Sequence, residues 1–167
     1  MRFSYPQWVQ FQGRSLGIVC QNDNGTEEAN EDTDGVLVTN GRIVSVRTPE
    51  EFSTVAIDHG LDLEDDELES QNLDGLEELL ELPMSDDICA QLLNAWNLFA
   101  DIARSVDATL DDRGPVASKC YDKLFFGNNL ESVTPAGEHY SPSFNESERR
   151  TMQEILDRGR TILATHL

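Results

Sequence analysis

The chain has 167 residues, the usual size of one domain, and 32 acidic against 12 basic residues, which gives a formal net charge of −20. That length can bury a core, and hydrophobic residues make up 38 % of the chain and are spread along it, so the composition argues against wholesale disorder. No apolar run approaches the roughly 20 residues that cross a bilayer, and an electrostatic field of this sign repels nucleic acid and anionic membranes.

The first 47 residues are predicted to be rich in β structure. Segments 3–5 and 8–11 show partial alternation of apolar and polar side chains, and 16–20 is a short apolar run. Asn, Asp, Glu, Gly and Thr dominate segment 21–34, which predicts a solvated loop.

A β-hairpin is predicted next. The strand-like segments 36–39 and 42–46 flank Asn40-Gly41. This dipeptide accepts positive φ at both central positions of a type I′ turn, whose twist matches that of the flanking strands.

The periodicity changes at Thr48. Thr48 as N-cap, Pro49 at the first helical position and Glu51 three residues after the cap predict a helix over 49–59 that ends at Gly60. A strand over 52–57 is the competing interpretation.

An acidic run with sparse leucines follows over 62–70. Asn72 is then predicted to cap a helix that carries Leu73, Leu76, Leu79 and Leu80 and ends before Pro83.

The strongest helix signal begins at Ser85. Ser85 is a good N-cap, Asp86 and Asp87 suit the positive end of the helix dipole, and an apolar stripe about 20 residues long follows. The stripe consists of Ile88, Leu92, Ala95, Trp96, Phe99, Ile102, Ala103 and Val106.

Two further helices are predicted. One runs over 115–126, with Val116, Tyr121 and Leu124 inward and Gly127 as its stop. The last begins at Asn145, which with Glu148 resembles a capping box, and buries a stripe through Met152, Ile155, Leu156, Ile162 and Leu163.

The linking segment 128–144 contains Pro135, Gly137 and Pro142 and is long enough to suggest a function. The chain shows no internal repeat and no clear linker. The economical prediction is one α+β domain over 1–167, β-rich in 1–47 with antiparallel strands that include the Asn-Gly hairpin, and mostly helical in 48–167.

The acidic residues are concentrated. No Lys or Arg occurs between Arg47 and Arg104, whereas that interval holds 16 acids, half of the total. Clustered like charges cost stability, and they attract a cationic surface. Salt adaptation is the competing explanation, although it would spread acids over every exposed face.

Motifs of catalysis and metal binding are sparse. Asn30 to Gly35 matches the first half of an EF-hand calcium loop, but its twelfth position holds Gly41 instead of a glutamate. The P-loop, zinc-protease and dinucleotide-binding patterns do not occur. We therefore expect no cofactor, no metal and no enzyme activity, with a carboxylate-based hydrolase and a calcium- or salt-adapted structural protein as alternatives.

The three cysteines, Cys20, Cys89 and Cys120, are widely spaced and odd in number, which favours buried thiols over disulfides or zinc ligands. A catalytic pair of Cys120 with His139 is a weaker hypothesis.

Phe125 and Phe126 stand side by side where a helix should end. Since adjacent helical residues point about 100° apart, the two rings cannot share the centre of one buried stripe. Either both pack, one of them under the following loop, or one anchors a partner.

The base-free acidic interval, the compact α+β order and the lack of a targeting segment together resemble the bacterial immunity proteins that neutralise contact-dependent and related polymorphic toxins. This resemblance implies a cytoplasmic inhibitor that binds a basic protein partner, such as a toxin nuclease domain, by electrostatic complementarity. It implies no direct binding to nucleic acid or membrane, and it transfers no functional residue. The acidic side chains expected to contact the partner, with Phe125 and Phe126, are Asp62, Glu64, Asp65, Asp66, Glu67, Glu69, Glu77, Glu78 and Glu81.

Overall fold

The computed structural model describes residues 2–23, 34–64, 68 and 70–167. It has an α+β fold in which N-terminal strands form a sheet and a mostly helical part follows. Strands β1 (Arg2–Phe11) and β2 (Arg14–Asp23) form a long antiparallel hairpin, in which Arg2 faces Asp23 and Phe11 faces Arg14. The predicted segments 3–5 and 8–11 are therefore parts of one strand.

Short strands extend this hairpin on both sides. β3 (Gly35–Val36) and β6 (Ser45–Val46) pair antiparallel with β2. β7 (Ser70–Asn72) pairs in parallel with β1 and forms the outer edge of the sheet within the described chain.

The predicted Asn-Gly hairpin is confirmed. It joins β4 (Val38–Thr39) to β5 (Arg42–Ile43), and φ is 52° at Asn40 and 74° at Gly41. Both angles are positive, as a type I′ turn requires.

The helix predicted over 49–59 is present as α1 (Glu51–His59) and ends at Gly60 in the left-handed conformation, so the competing strand is wrong. The predicted cap is also wrong, because Glu50 and not Thr48 occupies the N-cap position. The α1 side chain Phe52 packs on β2. A Cβ added to Gly17 would lie 2.4 Å from Cζ of Phe52, so glycine is needed there for the ring to approach the sheet.

The other helices are α2 (Leu76–Glu81), α3 (Asp86–Ser105), α4 (Pro115–Gly127) and α5 (Glu146–His166). Two predicted caps are confirmed: Ser85 accepts a hydrogen bond from the backbone of Ile88, and Asn145 forms a capping box with Glu148. The stripe predicted for α5 is buried, and that of α3 is buried except for Ile88 and Val106 at its ends, which are partly exposed.

Three details of the helical prediction are wrong. Asn72 belongs to β7 and its side chain accepts a hydrogen bond from the backbone of Asp74, so α2 starts later, after Gly75. Val116 is 40 % exposed instead of inward. Gly127 is the last residue of α4 instead of the residue after it, and it packs between Cys89 and Pro142, where a Cβ would be 2.7 Å from an atom of each.

The sheet separates two hydrophobic clusters, because successive strand residues point to opposite faces. Val9, Phe11 and Ile18 belong to the main core beneath the helices, and Val19 and Phe52 belong to a smaller cluster on the other face. None of the helices in the described ranges is long and apolar enough to cross a membrane.

Candidate partner-binding surfaces

The first part of the predicted acidic contact runs beside β1. Leu63 forms a parallel bridge with Ser4, and the backbone N–H of Glu64 donates to the carbonyl of Ser4 at 3.0 Å. Asp62 and Glu64, on either side of Leu63, are both exposed. The remaining predicted contacts of this run, Asp65, Asp66, Glu67 and Glu69, lie outside the described residues.

The chain returns to the same edge at β7, where Ser70 faces Trp8. Asp62 and Glu64 therefore lie at the edge of the sheet, beside Ser4 of β1. From Ser4 to Phe11 that edge is about 23 Å long at ~3.3 Å per residue. Charged side chains on an edge strand also oppose pairing with a second sheet, so this placement has a structural benefit of its own.

The acids of α2 divide into two groups. Glu77 is partly buried and forms an ion pair with Arg160 of α5, which also pairs with Asp157. Glu78 and Glu81 are exposed, and within the described ranges no lysine or arginine forms an ion pair with either of them.

Asp74, another acid of the base-free interval, has a structural role. Its carboxylate accepts hydrogen bonds from the backbone N–H groups of Gln12 at 2.8 Å and Gly13 at 3.0 Å. These two residues form the turn between β1 and β2, and φ is positive at both. Asp74 therefore holds the start of α2 against the end of the main hairpin.

The two adjacent phenylalanines have different surroundings. Phe125 is half-buried and packs against the main core, whereas Phe126 is 51 % exposed. The rings meet edge to face, with centroids 5.2 Å apart and an interplanar angle of 83°. Of the two alternatives raised by the sequence, the structure excludes full packing of both rings. A partner-binding role for either residue stays a prediction.

Phe126 lines a surface cavity of about 480 Å³ between the end of α4 and the segment 128–144. We call it the Phe126 pocket. Val133, Pro135 and Tyr140 contribute the rest of its apolar wall, and Asn129, Glu138 and His139 contribute polar groups. Val133 and Tyr140 are 43 % and 42 % exposed, so several large apolar side chains face solvent at one place.

A polar cluster fixes one end of this segment to the start of α3. Nε2 of His139 lies 2.9 Å from Oδ1 of Asp86, and Nδ2 of Asn129 lies 2.8 Å from the same oxygen. Asn129 also exchanges hydrogen bonds with the backbone of Tyr140, both at 2.8 Å. The hydrogen bonds from His139 and Asn129 hold the pKa of Asp86 below its usual value.

Ser141, His139 and Asp86 form a chain of the residue types found in hydrolase triads. Oγ of Ser141 lies 3.3 Å from Nδ1 of His139. The side chains of His139 and Asp86 are 58 % and 51 % exposed, however. A catalytic triad stabilises its transition state well only where water is excluded. The geometry is better explained as a clamp that positions the wall of the Phe126 pocket.

Lys123 and Glu148 fix the other end of the segment. Nζ of Lys123 donates to the carbonyl of Ser143 at 2.8 Å and lies 2.8 Å from Oε2 of Glu148. Burial raises the pKa of Glu148, but the hydrogen bonds from Lys123 and from the backbone of Asn145, with the lysine charge, outweigh burial and lower the pKa overall. A general acid at neutral pH needs a raised pKa, so neither this carboxyl nor Asp86 favours the hydrolase alternative.

All three thiols are buried. Burial raises the pKa of Cys20 to about 12 and that of Cys120 to about 11, and it also raises the pKa of Cys89. Sγ of Cys120 lies 3.6 Å from the carbonyl of Glu148, whereas His139 contacts Asp86, so the structure does not join Cys120 to His139.

No group of three or more His, Cys, Asp or Glu side chains suited to a metal occurs in the described ranges. The first residues of the EF-hand-like stretch, 30–33, lie outside those ranges.

Comparison with solved structures finds the SatS C-terminal domain, whose crystal structure was determined in complex with bromine. The match has a TM-score of 0.50 and 13 % sequence identity, and it covers 98 % of this chain and 92 % of that one. The likeness shows the fold alone. No protein-family model matches the chain, and no curated protein matches it in sequence.

The sequence indicated only part of the Phe126 pocket. The paired phenylalanines and the long segment 128–144 were visible signals, but Val133, Glu138 and Tyr140 gave none. Their role depends on how Asn129 and Lys123 fold that segment back over α4, which is a matter of tertiary contacts.

Proposed function

We propose that this protein binds a basic protein partner and neutralises it, as an immunity or inhibitor protein does, with a toxin nuclease domain as the type of partner. The observation that carries the proposal is an imbalance of ion pairs on the surface. The exposed acids Asp62, Glu64, Glu78 and Glu81 have no cationic partner within the described ranges, whereas five of the 12 Lys and Arg residues form ion pairs there. The engaged cations are Arg104, Lys123, Arg150, Arg158 and Arg160.

With 32 acids against 12 bases, the net charge of −20 cannot be neutralised by bases from the chain itself, whichever ion pairs form. Such a field accelerates association with a cationic protein and repels nucleic acid. An enzyme that holds phosphate needs a cationic surface, so an acidic protein that covers this surface excludes its substrate. The acidic edge, which consists of Asp62 and Glu64 beside β1, attracts and orients a cationic partner as it approaches. The exposed apolar wall of the Phe126 pocket adds contact area that slows dissociation.

The test begins with capture of a partner from source cells on the immobilised protein, followed by identification and purification of that partner. Affinity of the purified pair is then measured at about 50 mM and 500 mM salt, over which the Debye length falls from roughly 14 Å to 4 Å. We expect a partner rich in Lys and Arg and an affinity that drops at least tenfold with salt. An acidic partner, or an affinity independent of salt, contradicts the proposal.

Two matched double variants locate the contact. Asp62→Asn with Glu64→Gln removes two charges from the acidic edge, and Asp107→Asn with Glu154→Gln removes two exposed charges from positions outside the base-free interval. The edge variant should slow association several-fold, and the control variant should change it less than twofold. Equal effects of the two variants would mean that net charge alone acts and that the edge is not the contact.

Salt adaptation predicts a different dependence of stability on salt, and melting curves at several salt concentrations distinguish it from the proposed function. If the acids serve only to hold water and ions, the protein should be strongly stabilised only near molar salt, where the Debye length is ~3 Å. Under the proposed function the fold is stable at physiological salt.

A further inference from the structure

The Phe126 pocket combines aromatic rings with negative charge. The ring of Phe126 is held by its edge-to-face contact with the half-buried Phe125, which limits its motion. Tyr140 stands in the same wall, and its backbone is fixed by two hydrogen bonds from and to Asn129. The ring of Phe126 and the backbone that carries Tyr140 are therefore positioned before any ligand arrives, which lowers the entropic cost of binding.

The charge around the pocket is negative. Glu138 lies in its wall, and the carboxylate of Asp86 lies 2.9 Å from Nε2 of His139, one of the lining residues. Within the described ranges no lysine or arginine lines the pocket. Lys123, one turn before Phe126 on α4, is engaged by Glu148 and by the carbonyl of Ser143, so its charge is directed elsewhere.

These features match an arginine side chain. A guanidinium stacks on aromatic faces, binds a carboxylate through two parallel hydrogen bonds, and is more weakly hydrated than an ammonium group. Its aliphatic stem needs apolar surface, which Val133 and Pro135 provide. An acidic or phosphorylated ligand would be repelled by Glu138 and Asp86.

We propose that the Phe126 pocket is an arginine-binding site that receives a side chain of the basic partner, stacked on Phe126 and paired with Glu138. This inference rests on the proposed function for the origin of the arginine. The pocket itself can be examined with a small probe, independently of any partner.

The probe is Nα-acetyl-arginine amide, followed by NMR of the full-length protein, with the matching lysine and citrulline amides as controls. Citrulline keeps the shape of arginine but carries no charge. We expect saturable millimolar binding of the arginine amide that shifts the signals of Phe126, Glu138 and Tyr140, with citrulline at least fivefold weaker and lysine between the two. Equal shifts with citrulline, shifts at other residues, or no saturable binding overturn the proposal.

Variants of the wall complete the test. Phe126→Ala and Glu138→Gln should each weaken the arginine amide at least fivefold. Val116→Ala on α4 and Glu154→Gln on α5 are matched exposed controls and should leave binding within twofold. Because Phe126 and Glu138 are exposed, all four variants should remain fully folded at the temperature of the binding assay, and their unfolding curves check this and separate a lost site from a lost fold. Unchanged binding in Phe126→Ala contradicts the assignment.

The two proposals fail in different ways. If the arginine amide binds at the pocket but no basic partner is captured, the site stands and the proposed function fails. If a basic partner is captured and Phe126→Ala leaves its affinity unchanged, the proposed function stands and the arginine site fails.

Discussion

The ammonium group of Lys123 lies 2.8 Å from Oε2 of Glu148, and this ion pair joins α4 to α5 at the end of the segment that walls the Phe126 pocket. The side chain of Lys123 is 20 % exposed and that of Glu148 is 4 % exposed. A buried ion pair gives little net stability compared with apolar residues, but the loss of one partner leaves an unpaired charge in a poorly solvated place.

Glu148→Ala should therefore lower the free energy of unfolding by about 3 kcal/mol. Urea unfolding followed by circular dichroism measures the loss. Glu146→Ala is the control, since Glu146 lies in the same first turn of α5 but its side chain is 86 % exposed, and its loss should cost under about 0.5 kcal/mol. Equal costs for the two variants would show that burial of the pair does not matter.

The pH dependence of stability should report the same pair. The folded-state pKa of Glu148 lies below its ordinary value of 4.5, so the carboxylate contributes stability above pH 4.5 that is lost as the pH falls through the lower folded-state pKa. The difference in unfolding free energy between the parent and Glu148→Gln should be largest near neutral pH and shrink below about pH 4.5. Urea titrations at several pH values between 7 and 3 measure it. If the difference in unfolding free energy between the parent and Glu148→Gln grows as the pH falls, the pKa of Glu148 is not lowered in the folded state.

Gly159→Ala should destabilise the protein although it replaces glycine inside a helix. A Cβ at position 159 would lie 2.3 Å from Cγ of Phe99, so α5 could not keep its distance from α3. Overpacking of this kind costs about 1–3 kcal/mol, against a gain of up to ~1 kcal/mol from helix propensity. Melting curves show whether Gly159→Ala raises or lowers the melting temperature, and Gln153→Ala on the exposed face of α5 is the control. A higher melting temperature for Gly159→Ala would refute the close contact.

The native thiols should react slowly with iodoacetamide. The thiolate is the reactive form, and burial raises the pKa of Cys20 to about 12 and that of Cys120 to about 11. At pH 8 the thiolate fraction of Cys20 is about a thousandfold lower than that of an unperturbed cysteine. Mass spectrometry should find the native protein largely unmodified under conditions that alkylate all three cysteines in urea. Rapid alkylation of Cys20 in the native protein would contradict its burial.

Much of the fold could be predicted because its signals are local. The Asn40-Gly41 turn, the Ser85 cap and the capping box of Asn145 each depend on residues within three positions of one another, and the periodicity of α3 and α5 repeats over whole helices. The errors arose where a distant partner competed with a local signal. Asn72 has the chemistry of a helix cap, but pairing with β1 places it in a strand. Val116 fits an inward position of α4 by spacing, yet it is 40 % exposed.

By itself the sequence determined the α+β order, the helix caps and the concentration of negative charge, since chain-local geometry and composition are sufficient for these. Only the tertiary structure decided which charges remain exposed and where the pocket forms. Glu77 meets Arg160, and Asp86 meets His139, across 83 and 53 positions of the chain. Contacts at such separations depend on the packing of whole elements, for which no short sequence pattern exists.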